Sequence, residues 1–430
     1  MMKKIYSYLL LLASLLLFIM NNDVKWNLNE VPLFHKQSGT AFAQTVKDQP
    51  ATSIKQFEHV LTLQERQPIY MMTDHLVKIG ELEADYPVAI MGEDEAYYEL
   101  RLANMDVYIP KGRGVVENRK ELSTMNTSRF ATVETVAPTK VHTAATAESD
   151  VWMQLEAGYH YPVMQEVDGW FVVKIGERPG YIRKQSVTVD KGLPVLVYHQ
   201  VLPRALMQTT MSTISLENFE QQMNYLAEQQ FTTLTSRELY QYLEGRLVVP
   251  SRSIVITFDD GLLSSKEYAY PVLKKHGFTA PHHIISSRMD RGKGAPVFDG
   301  GGLLNYLSAS DLPEMKDVFQ FEAHTSELHE LNRETNLGVV FDHTQEEITA
   351  DLRKNLQHVP AAVSIAYPYG LYNEQFIEAA KEVGLVIGYT TVEGYANMDS
   401  SNYEVNRFGM TERRTFEQFT TYVDGDMTWP

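Results

Sequence analysis

Four short segments of this 430-residue chain carry side chains suited to hydrolytic chemistry. Thr257-Phe258-Asp259-Asp260-Gly261 sets two carboxylates side by side at the end of an apolar run, with a glycine that lets the chain turn. Neighbouring residues of a strand point to opposite faces, so one aspartate can hold a metal ion while the other faces a water beside it. Taken alone, Asp-Asp-Gly is equally an ordinary turn. Phe321-Glu322-Ala323-His324-Thr325-Ser326-Glu327-Leu328-His329 adds two histidines five positions apart. On a regular helix these would diverge by about 140°, so they can share an ion only if a turn after a strand brings them together. With the aspartate pair they make an Asp-His-His set with an open position, a familiar donor set for zinc or a similar divalent ion in hydrolysis. The chain has no cysteine, which removes thiolate metal sites, disulfides and a thiol nucleophile together.

Two further segments are weaker signals. In Tyr198-His199-Gln200 the histidine is either a proton donor or a satisfied polar residue at a strand end. Ala366-Tyr367-Pro368-Tyr369-Gly370 closes an apolar run, and its proline and glycine fix a rigid turn whose backbone N–H groups could line a pocket. His282-His283, inside Ala280-Pro281-His282-His283-Ile284-Ile285, reads as part of a strand and structural rather than ligating.

Placing these segments requires a scaffold. From Leu193 onward, continuous apolar runs of strand length (Leu193 to Tyr198, Ser253 to Phe258) alternate with stretches of helical spacing. Helices are expected over 216–230, 236–243, 342–357, 374–383 and 415–422, the second opened by a capping box from Thr235 to Glu238. Alternating strands and helices over some 240 residues predict a parallel sheet closed as a β/α barrel, an architecture that puts chemistry at the C-terminal ends of its strands.

The first half is different in texture. Displaced by 73 residues, Leu82 to Val116 falls without a gap on Leu155 to Val189: Leu82-Glu83-Ala84 on Leu155-Glu156-Ala157, Tyr108-Ile109 on Tyr181-Ile182. Two copies of a small all-β module are expected, at 60–125 and 130–190. Asp168-Gly169-Trp170 followed by strand residues and Gly180-Tyr181-Ile182 resembles the bacterial SH3-like domains of exported wall proteins, which implies either attachment to the cell wall or a spacer role. Residues 1–22, with Lys3-Lys4 ahead of an apolar run from Ile5 to Met20, read as an export signal or a short membrane anchor, and 23–59 as a linker. Thirty-eight Lys and Arg against 55 Asp and Glu give a net charge of −17, a poor match for nucleic acid.

Taken in order, Tyr198-His199, Thr257-Phe258-Asp259-Asp260-Gly261, His324-Thr325 with His329, and Tyr367-Pro368-Tyr369-Gly370 resemble the successive motifs of polysaccharide deacetylases with the NodB homology domain. The resemblance covers about 193–425 and extends to Tyr270-Pro271-Val272-Leu273 and Ala379-Ala380-Lys381-Glu382-Val383-Gly384. It implies a distorted β/α barrel and metal-dependent removal of N-acetyl groups from an N-acetylglucosamine polymer, whether poly-N-acetylglucosamine, chitin-like or peptidoglycan. By the same resemblance Asp259 is the general base, and Asp260, His324 and His329 hold a divalent metal, zinc first with cobalt or nickel as alternatives. Pro368 and Tyr369 then lie against substrate. The five-residue histidine interval is similar to that of the biofilm-matrix poly-β-1,6-N-acetylglucosamine deacetylases, a branch in which the position of His199 supplies the proton donor. The arginine that often precedes the Pro-Tyr motif is Ala366 here, which makes Arg407 the candidate to orient Asp259. An O-acetyl esterase acting on a wall polymer, or a non-catalytic glycan-binding protein, are the alternative readings.

Overall fold

The computed structural model describes residues 50–125, 131–291, 304–398 and 400–426; segment 1–22 and most of 23–59 lie outside them. Among the described residues, no helix is long and apolar enough to cross a membrane. The stretch read as linker gives way to structure before residue 60, because Thr52–Leu63 is a strand paired along its length with Gly114–Met125.

The repeat is present in the strands. Hairpin Tyr97–Leu102 to Met105–Pro110 recurs as Trp170–Ile175 to Arg178–Arg183, with Tyr97 opposite Pro110 and Trp170 opposite Arg183, both residues of the pair displaced by the same interval. The two copies are not separate barrels, however. They merge into one ten-stranded antiparallel sheet in which Val151–Leu155 pairs with Leu76–Leu82 and Ile175 meets Leu102. One apolar core runs through both, with Leu82, Leu102 and Val107 packed in the same cluster as Met153, Leu155 and Phe171. The physical reason is that each copy alone would leave open strand edges and bury little apolar area. At the joint, a Cβ on Gly80 would sit 2.7 Å from the Gln154 carbonyl oxygen, so only glycine allows the strands to approach.

The C-terminal half is an eight-stranded parallel sheet. Its strands are β1 Val195–Tyr198, β2 Ser253–Phe258, β3 Ala280–Ile284, β4 Phe319–Ala323, β5 Ser364–Ala366, β6 Ile387–Tyr389 and β7 Phe408–Gly409, ordered 6-5-4-3-2-1-7, with Thr232–Thr233 paired to β2. One segment reaches both edges: Val405 bridges to Tyr389, and Phe408 pairs with Leu196. The sheet therefore curls into a distorted barrel. Strands β1 and β2 are buried at every position, which explains their unbroken apolar sequences.

Helices α1 Leu216–Glu228, α2 Ser236–Leu243, α3 Tyr270–His276, α4 Gln345–Leu356, α5 Glu374–Glu382 and α6 Phe416–Val423 surround the sheet. Capping boxes at Thr235, Thr344 and Thr415 start α2, α4 and α6, so α4 begins three residues later than its apolar spacing suggests. The barrel and the β domain are welded together. Val249–Pro250 adds a strand to the β domain beside Tyr159–Val163, and Val248 is buried in the β-domain core.

Candidate active site

Strand register brings the sequence motifs to one rim. Tyr198 pairs with Phe258, Ala323 with Ile365 and Ala366 with Tyr389, so the residues that follow β1, β2, β4 and β5 emerge side by side. Beyond β2 the chain turns through two consecutive left-handed residues, Asp260 at φ 73° and Gly261 at φ 73°. Beyond β4, Thr325 is left-handed at φ 64°, and His329 follows in a loop, not on a helix. The five-residue interval works for that reason. Side chains on α4 hold the loop in place: Asp351 accepts from the backbone N–H groups of Ser326 and Glu327, both at 2.7 Å, and the Asn355 amide donates to the Thr325 carbonyl.

Three donor atoms converge. The Nε2 atoms of His324 and His329 each lie 3.4 Å from Asp260 Oδ1, and the imidazole rings are 4.6 Å apart between centroids. Asp260, His324 and His329 form a group whose ligand atoms all fall within 4.8 Å of one another. An ion bound at about 2.1 Å in a tetrahedron needs donors about 3.4 Å apart, so the spacing fits a zinc-like site. The protonation pattern fits as well. His324 Nδ1 donates to the Ala366 carbonyl at 2.7 Å, which leaves the Nε2 lone pair free for a metal. Burial pushes the His329 imidazole down to about 3, with the neighbouring His324 adding to the effect, so it stays neutral. For Asp260, burial alone would raise the carboxyl; the facing imidazoles, His324 first and then His199 and His329, outweigh it and keep the group ionised.

Asp259 is 3% exposed and engaged differently. Arg407, fully buried just before β7, donates Nη1 to Oδ1 at 2.9 Å and Nη2 to Oδ2 at 2.8 Å. The guanidinium is itself fixed by the Thr390 carbonyl at 2.9 Å and the Thr257 hydroxyl at 3.1 Å. Burial raises the Asp259 carboxyl, but the Arg407 charge and His283 together hold it well below the usual range. His199 is half-buried at the end of β1. Pro368 is buried, whereas Tyr369 is 40% exposed at φ 57° with its ring 4.5 Å from that of His329. Gly370 must be glycine, since at φ 72° its Cβ would lie 2.0 Å from Thr391 Oγ1.

Three residues around the site were not legible as functional. His283 Nδ1 lies 3.0 Å from Asp259 Oδ1, so this half of the His282-His283 pair belongs to the site. Strand alternation gives the clue, because one of two adjacent histidines must face the barrel interior. Arg288 donates to the His329 carbonyl and pairs with Glu330 at 3.0 Å, bracing the histidine loop. Asp351, at the middle of α4, carries no local signal that it caps that loop.

The parallel barrel gathers carboxylate and imidazole side chains at the C-terminal ends of its strands, where barrel enzymes carry their chemistry. Residues 247–388 match the family described as Polysaccharide deacetylase. The poly-beta-1,6-N-acetyl-D-glucosamine N-deacetylase of Staphylococcus epidermidis is 31% identical over 221 residues, 50% of this chain and 73% of its own length. The enzyme of the same name from Staphylococcus aureus is 30% identical over 221 residues, 50% of this chain and 72% of its own. The solved structure of IcaB from Ammonifex degensii aligns at 25% identity over 55% of this chain and 97% of that one, with a TM-score of 0.46. The chain belongs to the polysaccharide deacetylase family and is a hydrolase of carbon–nitrogen bonds other than peptide bonds. The matched span contains Asp259, Asp260, His324 and His329 but neither His199 nor Arg407.

Proposed function

We propose that this enzyme removes N-acetyl groups from a poly-β-1,6-N-acetylglucosamine type of polymer, releasing acetate, with a divalent metal held by Asp260, His324 and His329. The observation that carries the reading is the convergence of those three donors at tetrahedral spacing beside an ionised, arginine-held Asp259. A bound divalent ion would supply polarisation of the acetyl carbonyl and a water of lowered pKa. The protein's own groups do the rest. Asp259 accepts the proton of the attacking water, through the lone-pair position its partners leave free. The backbone N–H of Tyr369, turned by its left-handed φ of 57°, is the donor for the developing oxyanion. His199 protonates the departing sugar nitrogen, and the exposed Tyr369 ring offers a face for the sugar.

The relatives named for β-1,6-linked polymer support that linkage, and Lys3-Lys4 before an apolar run supports an exported or anchored enzyme acting outside the cell. The test is acetate release by the full chain on β-1,6-linked N-acetylglucosamine oligomers, chitin oligomers, peptidoglycan and an O-acetylated xylan. Release should be greatest on the first, disappear with chelator, and return with zinc, cobalt or nickel. Preference for the ester, or release indifferent to chelator, would overturn it.

A further inference from the structure

We propose that His283 is a positioning residue for this reaction: its Nδ1–H supplies Asp259 with a third hydrogen bond, and Ser364 fixes the ring that delivers it. The inference rests on the reading of Asp259 as proton acceptor.

Strand β3 presents two histidines to opposite surroundings. His282 packs against Phe258 and Phe319, with ring centroids 5.7 and 4.9 Å away. His283, also fully buried, turns to the carboxylate. Its Nδ1 stands 3.0 Å from Asp259 Oδ1 and 3.2 Å from the Phe258 carbonyl oxygen. Both atoms only accept hydrogen bonds, so Nδ1 carries the proton. The opposite nitrogen, Nε2, lies 3.1 Å from the Ser364 hydroxyl. In a neutral ring that nitrogen is an acceptor, and Ser364 must donate. Ser364 Oγ is 3.1 Å from Ser236 Oγ, which is 3.0 Å from the Tyr389 hydroxyl. The hydroxyls therefore line up in one direction, Tyr389 to Ser236 to Ser364 to His283, and the row ends on Asp259. Glu322 anchors the far side by accepting the backbone N–H groups of Val363 and Ser364 at 2.7 and 2.8 Å.

Hydrogen-bond capacity explains why a third donor matters. A carboxylate has about four lone-pair positions. Arg407 takes two, and the His283 Nδ1–H, shared with the Phe258 carbonyl, faces a third, leaving a single position for the proton of the attacking water. A neutral ring orients Asp259 without adding a positive charge next to a cation site. A phenylalanine would fill the same space and donate nothing, so packing alone does not account for the histidine.

The test compares His283→Asn, His283→Gln and His283→Phe in the full chain, with Asp259→Asn as control, measuring kcat, KM, bound zinc per chain and Tm. Asparagine can place an N–H near the Nδ1 position; glutamine places it near Nε2. The expected result is a kcat loss of about 10- to 100-fold for Gln and Phe at unchanged KM and zinc content, with Asn within about threefold of the parent. Wild-type turnover in the Gln or Phe variant, or an Asn variant as slow as Gln, would overturn the inference. If the Phe variant fails to fold, the Asn and Gln pair decides. An active Asp259→Asn enzyme would instead remove the underlying reading of Asp259.

Discussion

Arg407 grips Asp259 through two parallel hydrogen bonds across 148 residues of sequence, and it does so from just before the last strand of the barrel. A lysine could offer only a point charge, without the planar fork. Arg407→Lys should lower kcat about 10- to 100-fold with zinc still bound. Arg407→Met strands a buried carboxylate and should cost about 3–5 kcal/mol of stability in urea unfolding. The sign of the pH dependence follows from the depressed Asp259 carboxyl: the stabilisation is complete above the ordinary value of about 3.9 and is lost only as the pH falls through the lower folded value. A fully active Arg407→Lys enzyme would mean that the fork is dispensable.

The two adjacent aspartates should separate by function. Asp260 shares its Oδ1 with both histidine donors, whereas Asp259 lies outside that donor group. Asp260→Ala should abolish zinc binding and turnover together. Asp259→Asn should keep zinc and lose turnover by about 10²- to 10⁴-fold. Equal loss of metal in both variants, measured by metal content after dialysis, would contradict the division.

His199 should matter only to proton delivery. It follows β1 at the same rim as Asp260, His324 and His329. His199→Ala should slow amide cleavage by about 10²- to 10⁴-fold. An acetyl ester with a good leaving group needs less protonation and should be hydrolysed with a much smaller loss. Equal losses on both substrates would remove His199 from the acid role.

The catalytic half was legible because its signals are local. Strands β1 and β2 are almost entirely apolar, five of the six helices named above start at a side-chain cap, and Asp259-Asp260 and His324 stand directly after strands, with His329 five residues further on. What the sequence concealed depends on long-range contact. Nothing near Arg407 names Asp259 as its partner, so the arginine could be proposed only from the vacancy at Ala366. His283 looked structural because a buried strand histidine usually is, and its contact with Asp259 requires the β2–β3 register. In the first half the repeat was readable, but the merging of both copies was not. Strand pairing between Val151–Leu155 and Leu76–Leu82 depends on which edges are left unpaired, a property of the folded pair rather than of either copy.

The β domain should be needed for the stability of the barrel. Val248 is 1% exposed within the β-domain core although it belongs to the barrel's chain, and the adjoining Val249–Pro250 pairs with Tyr159 and His160. Burying a valine contributes about 1.5–3 kcal/mol, and placing a charge there forfeits that and adds a desolvation cost. Val248→Asp should therefore lower stability by more than about 3 kcal/mol in the full chain, and a fragment starting at Lys191 should melt earlier than the full chain. A fragment as stable as the full chain would show that the barrel does not depend on this contact.

A buried ion pair at the same junction sets a pH window. His160 Nδ1 lies 3.0 Å from Asp190 Oδ2, its Nε2 is 2.9 Å from the Ser251 carbonyl oxygen, and the Tyr242 hydroxyl also donates to Asp190. For His160, burial disfavours the charged ring, yet Asp190 outweighs it and the pKa is raised. For Asp190, burial disfavours the carboxylate, and His160 outweighs that in turn, so the pKa is lowered. A raised histidine contributes stability that is complete below its unfolded value of about 6.5 and fades as the pH rises through the folded one. A lowered aspartate contributes above about 3.9 and is lost on further acidification. The pair should therefore stabilise the junction most between about pH 4 and 6.5. His160→Gln should cost about 1–3 kcal/mol within that window and less at pH 9, read from urea unfolding across the range. A penalty that grows toward alkaline pH would mean that the ring is neutral in the folded protein, and the ion pair would have to be abandoned.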